Sequence, residues 1–171
     1  MILPPVPDQR LVTIRRGGSL TDERHRLIAL WSAEVAEHVL PLFTAECPND
    51  DRPQVAIDSI RNWVRGECKM MDARAACGHS MAAARPLTGS ARFAAYAAGQ
   101  AACVAHVAAH DLGAAAYAIK AVMASVPEAD APAAGRAECA WQRQRLPRDI
   151  RDLVLDDQQQ RNHLCWGVFD L

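Results

Sequence analysis

Leu27, Trp31, Val35 and Val39 recur every four residues, with Leu30 and Leu42 beside them, a spacing that lines one face of a helix. Thr21 can cap its start, and Asp22 and Glu23 put negative charge in the first turn, where the helix dipole favours it. Pro41 predicts an end or a kink near Leu40. A second stripe, Ala56, Ile60, Trp63 and Val64, follows a loop over residues 47–51. Asp51 is its expected N-cap, and Pro53 lies in the first turn, where a missing N–H costs little. A third helix is predicted from Cys68 to about Arg85, stopped by Pro86. The fourth starts after Thr88-Gly89-Ser90 and runs at least to His110; continuation through Gly113 to Met123 stays open, because glycine can mark a turn.

The remaining pattern is sparser. Pro127 to Gly135 reads as a surface loop, followed by a helix from Glu138 to Arg145 and a stop at Pro147. A last helix, from about Arg148 to Asn162, has Ile150, Leu153, Val154 and Leu155 as its apolar side, and Trp166, Val168 and Phe169 are expected to anchor the terminus. Prolines at 4, 5 and 7 forbid a helix at the start, and Leu11 to Ile14 could form a short strand. The pattern therefore predicts an all-α, single-domain bundle of about six helices over residues 20–171, preceded by an extended arm over residues 1–19. No internal repeat points to a solenoid.

Composition sharpens this. Of 171 residues 33 are alanine, and 21 of those fall between Ala73 and Ala121, which favours helices that pack closely. Phe93 to His110 carries no formal charge over 18 residues, yet it is mostly alanine with Gln100 and two histidines, so we expect a central helix and no membrane span. A net charge of −1 excludes a strongly basic nucleic-acid binder. Six cysteines without C-x-x-C spacing, behind an N-terminus lacking the features of a signal peptide, read as reduced thiols of a cytoplasmic protein.

Chemistry concentrates in two places. On one continuous helix, Tyr96, Gly99, Cys103, His106, His110, Gly113 and Tyr117 would follow steps of three and four and share a seam. Three uses compete for it: a helix–helix interface with satisfied polar tips, a metal site, or nucleophilic catalysis by Cys103 beside a histidine. The metal site would use His106, His110 and Cys103, completed by Glu34, His38 or His79, although the glutamate of an H-E-x-x-H motif is missing. The same small-residue seam could serve a homodimer. The second place is the tail, where Asp149, Asp152, Asp156 and Asp157 suggest an acidic helix stripe, either solvated or a docking surface for a protein. Arg15-Arg16-Gly17-Gly18 could form a backbone nest for an anion, or simply link arm to helix. Phosphate-loop, dinucleotide and G-x-S-x-G motifs are absent.

Several runs resemble the bacterial Imm-5-like immunity proteins. They are Arg15-Arg16-Gly17-Gly18 with Leu20-Thr21-Asp22 and Leu30-Trp31, Glu37-His38-Val39-Leu40, Asp51-Arg52-Pro53, and above all Ala94 to Ala101, Ala105 to Ala108 and Leu112 to Ala118. Trp141-Gln142, Leu146-Pro147, Arg161-Asn162 and Cys165-Trp166 are similar too, so the resemblance covers about Leu11 to Asp170. It implies an all-helical cytoplasmic protein that neutralises a polymorphic toxin by binding it, with the cognate toxin as partner, without cofactor or catalysis. The alternative is a small metal-dependent enzyme or sensor built on His106 and His110.

Overall fold

Thr21 caps the first helix as its sequence predicts, its Oγ1 accepting from the Arg24 N–H at 3.2 Å. In a computed structural model of the chain, described for residues 2–171, that helix is α1 (Asp22–Thr44). Pro41 does not end it: Leu40 and Phe43, on either side of the proline, are both buried, and their burial carries the helix one turn further. α2 (Arg52–Arg65) and α3 (Met70–Ala84) lie close to the predicted bounds. Asp51 makes no side-chain cap on α2; Asp50 takes that part, accepting from the Arg52 N–H at 3.2 Å.

The predicted fourth helix is two. α4 (Gly89–Cys103) stops well short of His110, and a short turn and a single 3-10 turn (Ala108–His110) lead into α5 (Asp111–Ala124). The chain doubles back here, so Tyr96 of α4 meets Tyr117 of α5 with ring centroids 5.0 Å apart. α6 (Ala131–Gln144) begins inside the stretch read as a loop, because Pro132 sits in its first turn, where proline is tolerated. α7 (Arg148–Arg161) completes seven helices among the described residues.

α4 is the hub: it packs against α1, α2, α3 and α5. Its alanines at 91, 94, 95, 97, 98, 101 and 102 are all buried, and their small side chains let four neighbours approach one helix. Trp31, Phe43, Ile57, Ile60, Leu112 and Ile119 fill the space around it. Among the described residues, α1 is the one helix long and apolar enough to cross a membrane, and 56% of that window is buried inside the bundle.

The arm is wound rather than extended. Two 3-10 turns (Gln9–Leu11 and Ile14–Arg16) replace the predicted strand, of which only an isolated bridge between Thr13 and Leu20 remains. Ile2 and Leu11 are buried, and Arg10 ties the arm to α7 through Asp156 at 2.6 Å. Val168 and Phe169 anchor the other terminus in the core, whereas Trp166 is half exposed.

Two cysteines are not free thiols. Cys77 of α3 and Cys103 at the end of α4 form a disulfide, with Cα atoms 5.6 Å apart. This corrects the reading of six reduced cysteines: α4 presents Cys103 to α3 where both helices approach closely around Gly99.

Candidate functional site

A cleft of about 510 Å³ opens where the arm, α1, the end of α2, the start of α3 and the α4–α5 turn converge. Each element contributes for a local reason. The 3-10 turn at Ile14–Arg16 ends on Gly17 in the left-handed conformation (φ 86°), which leaves Arg15 and Arg16 on the surface at the mouth. α1 adds His25 and Arg26 from its first turns, and Asp22, which pairs with Arg15. α2 ends on left-handed Gly66, bringing Trp63 and Lys69 to the same opening. Met70, Ala105 and His106 complete the lining together with Thr13 and Cys68.

The charge is one-sided. Arg15, Arg16, Arg26 and Lys69 face the single carboxylate of Asp22. Among the described residues, Arg16, Arg26 and Lys69 enter no ion pair with the rest of the chain. The floor is different. His25 is buried, its Nε2 donates to the Val104 carbonyl at 2.7 Å, and its ring lies 4.9 Å from that of Trp63. Burial lowers the His25 pKa despite that hydrogen bond, which keeps the ring neutral. His106 is also held below the usual histidine value, first by desolvation and then by Arg74 and Arg16, and its buried Nδ1 has no hydrogen-bond partner.

No anion nest forms at Arg15-Arg16-Gly17-Gly18. The N–H groups of Arg16 and Gly18 both donate to the Thr13 carbonyl, and that of Gly17 to the Ile14 carbonyl, so these three amides are already engaged. The arginine side chains, not the amides, supply the charge.

The predicted seam is folded in half. Gly99 packs against Met81 and Cys77 of α3, and Gly113 lies so close to the Gln100 amide that a Cβ would stand 2.3 Å from its Oε1. The same Oε1 accepts from His110 Nδ1 at 2.7 Å. His110 is held at about 4 by burial, with His106 and Arg161 adding to the shift. Cys103 is in its disulfide, so the trio His106, His110 and Cys103 forms neither the predicted metal site nor a thiolate nucleophile. The proposed extra ligands are engaged elsewhere or exposed. Glu34 pairs with Arg145 at 2.9 Å, His38 stacks on Trp141 at 3.7 Å and pairs with Glu138 at 3.0 Å, and His79 is exposed. No group of three or more His, Cys, Asp or Glu among the described residues could hold a metal. The glycines are occupied by the chain's own α3 and α4, which leaves no seam for a second copy.

The acidic stripe is also divided. Asp149 and Asp152 are exposed, and Asp156 is tied to Arg10. Asp157 points inward, 1% exposed, and is bound twice by Arg161, once through Nε at 2.6 Å. Arg161 also reaches buried Asp111 at 3.3 Å and the Ala109 carbonyl at 2.9 Å.

Over residues 18–149 the chain matches the model of a family described as Imm-5 like putative immunity protein. The chain belongs to that family. No curated protein and no solved structure matches it.

Two features of this Imm-5 like chain escaped sequence reasoning. The cleft joins residues 13 to 106 from five elements, and no local spacing announces it. The buried Asp111–Arg161–Asp157 triad did leave a signal: Ile150, Val154, Asp157 and Arg161 follow steps of four, three and four, the spacing of the apolar face of α7. The free thiols of Cys68, Cys139 and Cys165 are all pushed up by burial, Cys165 to about 12, so none of these three is an activated nucleophile.

Proposed function

We propose that this chain neutralises a cognate toxin by binding it and covering its working surface, without a reaction of its own. Membership of an immunity family over residues 18–149 carries the reading. Support comes from the site chemistry: the cysteine best placed for catalysis is in a disulfide, and the histidines beside it are neutral and bonded or buried. The toxin we infer is one of a bacterial polymorphic system, and the place of action is the cytoplasm. One observation pulls the other way on place, since the Cys77–Cys103 disulfide suits an oxidising compartment better than a reducing one. Quenching cells in acid and then alkylating the denatured chain decides it: six alkylated cysteines mean a reducing site, four mean an oxidising one.

The function is tested by co-expression. Cells producing the toxin encoded beside this chain should survive only when the chain is present, and the two polypeptides should co-purify. Death of the cells together with absence of a complex would overturn the proposal.

A further inference from the structure

The 510 Å³ cleft has the anatomy of a docking point. Its rim is cationic and its floor is apolar and aromatic, the arrangement in which charge steers the encounter and a central pocket supplies affinity. Among the described residues, Arg16, Arg26 and Lys69 enter no ion pair, although the whole molecule carries a net −1. The rim is therefore a local reversal of the protein's own sign. Below it, Trp63, Met70 and Ala105 offer apolar surface, and His106 Nδ1 is a buried polar atom with its hydrogen bond unmade.

Two further clefts differ from it in how their charges are held and in their floors. One, about 330 Å³, sets Arg10 and Arg24 against Asp152 and Asp156, so its charges cancel. The second, about 420 Å³, contains Arg136, Arg143 and Arg151. No carboxylate side chain lines it, but Arg143 already donates to the Phe169 carbonyl at 2.9 Å and Arg151 to the Arg143 carbonyl at 2.7 Å, and its aromatic ring, Phe169, is 3% exposed, so it offers one unengaged cation and no open aromatic floor.

We propose that the cleft between the arm, α1, α2, α3 and the α4–α5 turn is where the toxin docks, receiving an apolar side chain flanked by aspartate or glutamate from an acidic surface of that toxin. This rests on the immunity reading. Carboxylates on the toxin pair with Arg16, Arg26 and Lys69 at the rim, and the apolar side chain lies against Trp63.

The test uses the full chain and the toxin encoded beside it. Arg26→Glu with Lys69→Glu reverses two exposed charges and should leave the melting temperature unchanged. Binding should weaken at least about tenfold, mainly through slower association at low salt, and rescue of cells should fail. Asp149→Lys with Asp152→Lys, on the acidic side, should bind as the wild type does. A folded Arg26→Glu/Lys69→Glu protein that binds and rescues normally overturns the docking site and leaves the immunity reading standing, as does a loss confined to the Asp149→Lys/Asp152→Lys variant. A wild-type chain that neither binds nor rescues overturns both. Restoration of binding by an Asp→Lys or Glu→Lys change in the toxin would establish the pairing.

Discussion

Arg161 stands between two buried carboxylates and can neutralise only one of them. It holds Asp157 through two nitrogens and reaches Asp111 once, at 3.3 Å, while Asp111 Oδ2 has no partner. Burial, and after it the charge of Asp157, therefore push Asp111 up to about 7, and its proton relieves the excess negative charge. The consequences are unequal. Arg161→Ala strands both acids and should cost about 3–5 kcal/mol in urea unfolding, whereas Asp111→Asn, which copies the protonated form, should cost less than about 1 kcal/mol. Equal losses would mean that both acids are ionised. The sequence showed four aspartates at i, i+3, i+7 and i+8 and suggested one face. In a helix, however, Asp157 lies 100° from Asp156 and shares the side of Ile150 and Val154. A charge in an apolar register was the legible sign of burial, and the eye for acidic clusters passed over it.

Among the elements, those with a local mark at the terminus were legible in the sequence. Thr21, Pro53 and the Thr88-Gly89-Ser90 signal each lie at a real N-terminus, since first turns are set by local side chains and by missing N–H groups. The break after Cys103 had no such mark, because Val104, Ala105 and His106 include neither proline nor glycine. Distant residues hold it instead: His25 donates to the Val104 carbonyl, and Cys77 fixes Cys103. A turn made by tertiary contacts cannot be found by local propensity. Two predictions belong here. The disulfide spans 26 residues of sequence, so Cys103→Ser should lower stability by about 3 kcal/mol relative to the oxidised protein, and reduction of the wild type should cost the same. If reduction changes nothing in a urea melt, the bond is not formed in solution. Gly113→Ala, for its part, must push the Gln100 amide away from His110, and a loss of about 1–3 kcal/mol is expected. A crystal structure of that variant should show the His110–Gln100 hydrogen bond broken.

For the whole molecule, the same neighbourhood sets how stability depends on pH. His110, held at about 4, refuses a proton that the unfolded chain accepts near 6.5, so it withdraws stability as pH falls from 6.5 to 4. Asp111 acts in the opposite sense. Its carboxyl ionises near 3.8 when unfolded but keeps its proton up to about 7 when folded, so stability is withdrawn as pH rises through that interval. Between pH 4 and 6.5 the two groups act in opposite directions and offset one another. Single variants should uncover what the pair conceals. With Asp111→Asn, stability relative to wild type should rise with pH by up to about 1.4 kcal/mol per unit over that window, because the opposing Asp111 slope is gone. With His110→Gln, stability relative to wild type should fall with rising pH at a similar rate, because only Asp111 remains. Exposed carboxylates whose pKa is lowered by a paired arginine, such as Glu37 beside Arg61, titrate alike in all three proteins and drop out of the comparison. Urea midpoints at three pH values between 4.5 and 6.5 measure the differences directly. Three parallel lines would show that neither group is perturbed by folding, and the buried triad would then need a second cation near Asp111.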